Sequence, residues 1–422
     1  MRLTLKVVLA VLVASPALAN PLPAPEAGMQ RWIVTFKPTV KHDGRDAALA
    51  ALNVKAAAHI ATDGDTDNEF SAAVVDLPAG RTLDAKSASS IVSIEPDQRV
   101  KWIEQAAISF QSTAFGAEAG ALHFPKAGDY VMNPAMLAAL RVRPSIPWGV
   151  NRVHAPAAWD VTQGAGVKVA IIDTGIDLNH QDLLGKVDGG YSAITKTEKP
   201  EDYQDDNGHG THVSGTVAGG HSADDGKGVI GVAPKARLYA VKVLDADGSG
   251  NLSDVIDGIV WAAKNGMQVA NLSLGAPKDS DAMHRAVRFA KGSGLILVVA
   301  AGNSGAAVGF PGAYPEVITV SASDSDDKIA AFSSRGPEVK FIAPGVDVVS
   351  AKLGGGTISY NGTSMATPHV TGLAALAVSQ GWTGLTGPDG VLNQLKKAAK
   401  PLGGLTAEQQ GAGMIDAGKL VH

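Results

Sequence analysis

Five continuous apolar runs in the second half of this chain, interleaved with helical patterns, constrain its fold more than any other feature. They are VKVAII (167–172), LYAVKV (238–243), QVANLSL (268–274), LILVVA (295–300) and VITVSA (317–322). A strand with one wetted face alternates apolar and polar residues. One that is apolar throughout must be covered on both sides, as parallel strands joined by crossover helices are. The patterns DVIDGIVWAAKNG (254–266) and DAMHRAVRFAKG (281–292) supply such helices. The expected architecture of residues 145–422 is therefore α/β, a doubly wound, mostly parallel sheet with helices on both faces. Tight filling of that interior suits small side chains, and the chain is 45% hydrophobic but only 5% aromatic, with 49 Gly.

At 422 residues the chain exceeds one ordinary domain, so a smaller module is expected beside the large one. Residues 1–19 (MRLTLKVVLAVLVASPALA) place Arg2 and Lys6 before an apolar run from Val7 to Ala14 and end in Ala17-Leu18-Ala19. This is the pattern of a secretory signal peptide, and its apolar run is too short to span a bilayer. Residues 20–30 read as a Pro-rich spacer. Residues 31–104 predict strand (32–37), helix (43–52), a weak strand (57–61), strand (69–77), helix (81–89) and strand (91–95), the order of a small α+β ferredoxin-like module. Residues 105–144 lack periodicity and read as an exposed linker. Net charge is −5 with no polybasic block, which argues against nucleic acid as a partner. There are no cysteines, which removes disulfides, thiolate nucleophiles and zinc–thiolate sites.

In a doubly wound sheet, ligands bind beyond the carboxyl ends of the strands. Asp173 follows VKVAII there, and Asn303 follows LILVVAAG. His209 sits in DDNGHGTHVSGTVAG (205–219), ahead of a small-residue helix, and Ser364 opens the apolar helix of NGTSMATPHVTGLAALAV (361–378). A carboxylate, an imidazole, a helix-start hydroxyl and an amide donor are what acyl transfer requires. Competing motifs fail on their missing parts. Asp173-Thr174-Gly175 has no second Asp-Thr/Ser-Gly to share a proton, and His209 and His212 lack the Glu of a zinc-protease helix. Gly362-Thr363-Ser364-Met365-Ala366 approaches a nucleophile elbow, but an α/β-hydrolase places its acid and then its histidine after the serine. Asp245-Ala-Asp247-Gly-Ser249 imitates an EF-hand opening with Ile256 where a bidentate Glu is needed, and reads as a Gly-rich loop.

The surviving order, Asp173, His209, Ser364, is that of subtilisin. The sequence resembles the subtilisin-like serine proteases in VAIIDTGID (169–177), NGHGTHVSGTVAG (207–219), VVAAGNSG (298–305) and NGTSMATPHVTG (361–372). The likeness runs from about Ser145 to His422, and RWIVTFK and SIEPDQRVKW make residues 31–104 similar to the family's inhibitory propeptide. The resemblance implies a secreted serine endopeptidase, extracellular or periplasmic, made as a self-processing zymogen cut within 105–144. It implies Ser364 as nucleophile, His209 as base, Asp173 as its orienter and Asn303 as oxyanion donor. Substrate backbone is expected between Gly248, Ser249, Gly250 and Ser273, Leu274, Gly275. A pocket walled by Ala300, Ala301 and Gly302 and closed by Gly309 would favour large apolar side chains before the cut. No cofactor is expected for the chemistry, and a structural calcium would lie between Asp182 and Asp225. Expected partners are protein or peptide substrates and the chain's own propeptide acting as an intramolecular inhibitor. No membrane partner is expected, and the enzyme should be a monomer.

Overall fold

The computed structural model describes residues 25–61, 70–85, 88–103, 146–220 and 228–421. The stretch expected to be a signal peptide, the stretch 105–144 expected to be a linker, and Asp225 lie outside these residues. The first unit is a four-stranded antiparallel sheet of β1 (Met29–Phe36), β2 (Ala56–Ala61), β3 (Ser71–Pro78) and β4 (Ile91–Pro96), in the order β2-β3-β1-β4, with α1 (His42–Ala51). The weak strand is thus real. The helix expected over 81–89 does not extend over 81–84, which are irregular although Leu83 packs on the core, and residues 86–87 of that stretch lie outside the described residues.

Both faces of this sheet are apolar, and the period of two sends alternate residues to different destinations. Val34, Phe36, Ala73, Val75 and Leu77 pack with Ala48 and Leu49 of α1. Ile33, Ala72 and Val74 point the other way, into a core shared with two helices of the large unit. After β4 the chain continues into β5 (Arg99–Lys101).

The large unit is built on a seven-stranded, wholly parallel sheet in the order β13-β12-β11-β10-β6-β8-β7. Its strands are β6 (Lys168–Asp173), β7 (Val187–Ser192), β8 (Arg237–Lys242), β10 (Val269–Leu272), β11 (Ile296–Ala300), β12 (Ile318–Ser323) and β13 (Val339–Pro344). The five apolar runs form the five interior strands, as two-sided burial demands. Sequence reading missed the two edges, β7 and β13. In β7, Gly189 and Gly190 dilute the apolar signal, and Gly190 is required because a Cβ there would meet Ala240 O at 2.4 Å. The main helices are α2 (His209–Ala218), α3 (Leu252–Lys264), α4 (Asp281–Gly292), α5 (Thr363–Ser379) and α6 (Val391–Ala398). Helices α2 and α5 belong to the apolar layer on one side of the sheet, α3 and α4 to that on the other. The short strand β9 (Ser249–Asn251) precedes α3, and β14 (Val348–Ala351) and β15 (Thr357–Tyr360) form a hairpin ahead of α5.

The first unit is fastened to α3 and α4 by their helix-start amides. Glu95 accepts from Ala282 N (2.8 Å), and Asp97 accepts from Ser253 N (2.9 Å) and Ser253 Oγ (2.7 Å). Two carboxylates two residues apart thus satisfy the starts of two helices.

Candidate active site

Asp173 is the last residue of β6 and fully buried. His209 is the first residue of α2, and its Nδ1 lies 2.8 and 3.0 Å from the two Asp173 carboxylate oxygens. A carboxylate only accepts, so Nδ1 carries the proton and Nε2 is left as the basic lone pair. That Nε2 is buried and has no hydrogen-bond partner. The close approach depends on Gly210, where a Cβ would lie 2.1 Å from Gly175 O. Any larger residue would push the first turn of α2 away from the β6 loop.

Ser364, the second residue of α5, is nearly buried. Its Oγ donates to Ser273 O (3.0 Å), while Ser273 Oγ donates back to Ser364 O (2.8 Å). The hydroxyl is thus turned to the strand end rather than to His209. Asn303 follows β11, and its Oδ1 accepts from Thr363 N and Thr363 Oγ1, each at 2.9 Å. With Oδ1 held there, the amide group is the end of the side chain left to donate.

Residues that sequence reasoning passed over hold this arrangement. The Asp205 carboxylate accepts from the hydroxyls of Thr174 (2.8 Å) and Thr211 (2.5 Å) and from the amides of Asn207, Gly208 and Thr211 (3.0 Å each). It therefore ties the β6 loop to the first turn of α2. Lys242 donates to Thr174 O and to Asp206, both at 2.6 Å, bracing the same loop. The signal for Asp205 was its place in the DDNGHGTH stretch, but one acid among several gives no hint of five donors. His212 faces away from the site, with Nε2 against Val348 O and Ile358 O and its ring on Tyr360. Burial, with a smaller effect of His209, pushes its pKa down to about 3, so it is a neutral structural histidine. Burial holds His369 down at about 4.

A cleft of about 330 Å³ opens beside Ser364, lined by Leu274, Gly275, Ala300, Gly302, Asn303 and Gly309 among others. Ala301 is not part of it. Its side chain is buried against Val308 and Val339 instead, because successive residues of an extended segment face different ways. Along the cleft edge, β5 pairs antiparallel with β9, placing Val100 opposite Gly250 and Lys101 opposite Ser249. Trp102 N donates to Gly248 O (3.1 Å) and Gly275 N donates to Trp102 O (3.2 Å). The end of the first unit therefore runs between the two segments expected to bind substrate backbone.

Asp182 is buried, and its carboxylate accepts from Val229 N (3.0 Å) while its carbonyl accepts from Gly220 N (2.9 Å). Calcium needs six to eight oxygens. Among the described residues no three acidic or histidine side chains converge as ligands. Asp182 tethers the segment after α2 through these two bonds, and the loop expected to complete a calcium site with it, Asp225 included, lies outside the described residues.

A buried Asp–His pair and a helix-start serine, assembled at the carboxyl end of a parallel sheet, are the parts of a serine hydrolase. Residues 164–413 match the subtilase family. The chain is 45% identical over 277 residues to subtilisin Savinase of Lederbergia lenta, covering 65% of this chain and 97% of that protein. Alkaline elastase YaB of Bacillus sp. (strain YaB) is 45% identical over 277 residues, or 65% and 69% of the two chains. Subtilisin E of Bacillus subtilis (strain 168) is 48% identical over 242 residues, or 56% and 62%. The chain belongs to the subtilase family and is a serine endopeptidase.

Proposed function

We propose that the chain is made as a secreted, self-processing zymogen whose mature part, a monomer, is a broad extracellular endopeptidase. Ser364 attacks the scissile carbonyl after its hydroxyl turns from Ser273 O to His209 Nε2. His209 takes the proton and returns it to the leaving amine. Asp173 holds the tautomer and stabilises the imidazolium. Asn303 and the helix-start amide of Ser364 stabilise the oxyanion. The observation that carries these roles is the Asp173–His209 bond of 2.8 Å beside a serine at the head of α5.

Residues 31–104 act as the intramolecular inhibitor. The pairing of β5 with β9 supports this, because a strand added to a sheet edge binds through its backbone and so occupies the path of any extended substrate. Processing falls within 105–144. Labelling with a fluorophosphonate probe, mapped by peptide, together with sequencing of the secreted N-terminus, tests both parts. Label on Ser364 and a start between 105 and 145 are expected. Label elsewhere, or a start before 100 or after 150, overturns the assignment.

The pocket beside Ser364 accepts large apolar side chains, with a preference for Phe, Tyr, Leu or Met before the cut. Burial of such a side chain is worth about 1.5–3 kcal/mol. A Cβ on Gly309 would approach Ala276 O to 3.1 Å, tighter than an ordinary contact, so Gly309 is a wall with little room for growth. Gly309→Val should depress cleavage after aromatic residues more than after small ones, as read from paired peptides. An unchanged aromatic preference would remove Gly309 from the pocket.

A further inference from the structure

One carboxylate at the rim of the cleft is held ready by the backbone and used by nothing in the reaction. Asp245 lies in the turn between β8 and β9, and its Oδ1 accepts from the amides of Asp247 (2.9 Å) and Ser249 (3.1 Å). Its Oδ2 is left to face outward and receives the guanidinium of Arg99. Arg99 belongs to β5, opposite Asn251, two residues before Lys101 opposite Ser249. The pair is open to solvent, with side-chain exposures of 57% for Arg99 and 29% for Asp245. Burial pushes Asp245 up, but the Arg99 bond and the two amides outweigh it and hold the carboxyl below its usual range, so it is an anion at neutral pH.

Backbone pairing along an edge strand fixes which side chain points where, because side chains alternate along an extended chain. Any polypeptide that adds the same strand to Ser249–Asn251 delivers one particular side chain to Asp245. We propose that Asp245 is a specificity-determining residue that selects a basic side chain in extended protein substrates, at the position Arg99 occupies opposite Asn251. This rests on reading Arg99–Ile103 as the occupant of the substrate path, and adds a charge preference remote from the scissile bond.

The test uses enzyme matured from the full chain and a set of internally quenched peptides. A single Arg is walked through each upstream position of an otherwise neutral sequence, with Ala as reference. One position should show a gain of about two- to fivefold in kcat/KM, the scale of a solvent-exposed ion pair, shrinking as salt is raised. Asp245→Asn keeps an oxygen for the two amides and removes the anion, so the Arg-to-Ala ratio at that position should fall to about 1. Asp245→Lys should move the preference to Glu. Equal rates for Arg and Ala at every position, or an Arg gain that survives in Asp245→Asn, would overturn the role of Asp245 while leaving the peptidase reading intact. Failure to cleave any peptide of the set would overturn both.

Discussion

The two sheets of this molecule bury their faces in different ways. The seven-stranded sheet is covered on each side by helices of its own unit, and β10, β11 and β12 are buried at every residue. The four-stranded sheet covers one face with α1 and rests the other on α3 and α4. A sheet whose second apolar face belongs to another unit cannot satisfy itself alone, and small units have little buried area to spare. The first unit therefore draws part of its stability from the surface it covers.

The largest effect separates chemistry from this borrowed contact. Ser364→Ala should abolish turnover by about 10⁶-fold, a magnitude known from subtilisin itself rather than derived from this geometry. Both units should stay joined in one uncut chain on a denaturing gel. A wild-type cleavage pattern would show that another nucleophile processes the chain.

Acid should act on the two regions with opposite sign. His212 and His369 are neutral in the folded large unit, with pKa values lowered to about 3 and about 4. Unfolded histidines take up protons below about 6.5. Stability is thus fully present above pH 6.5 and declines as pH falls from there towards the folded values, by at most about 1.4 kcal/mol per pH unit for each histidine. Denaturant melts of the mature enzyme between pH 7 and 4.5 measure the slope, and a flat profile would refute it. At the interface, burial raises the Asp97 carboxyl to about 6, against the pull of the Ser253 bonds and with help from Asp254. A raised acid pKa favours the bound state as pH falls through 6, so the first unit should bind the mature enzyme more tightly at pH 5 than at pH 7.5. Asp97→Asn should flatten that dependence. A steeper one would mean that Asp97 is not its source.

A change on each face of the small sheet sharpens the contrast further. Ile33→Ala should cost about 2–4 kcal/mol, seen as weaker inhibition by residues 25–103 added in trans, with the melting of the mature enzyme unmoved. Leu49→Ala removes a similar side chain from the other face, where it packs only within the first unit. It should weaken inhibition through loss of folding, and an excess of segment should restore inhibition more readily than for Ile33→Ala. Equal behaviour of the two variants would erase the distinction between owned and borrowed faces.

Sequence alone determined the class of fold, because a strand apolar at every position admits only two-sided cover, and the order of Asp173, His209 and Ser364, because long motifs are read residue by residue. It missed β7, where an edge position relaxes the need for an apolar run, and β13, whose short run is interrupted by Lys340 and ends at Pro344. It misplaced Ala301, since pattern does not say which side of an irregular segment faces a cleft. Tertiary structure alone decided that Asp205 gathers five donors around the start of α2 and that Ser364 rests on Ser273 O. It also decided that β5 lies against β9, a pairing of residues 99 and 251 that no local signal encodes. Propensity and periodicity act over a turn or a strand. Contacts made by chain segments a hundred residues apart are selected only when the whole core has closed around them.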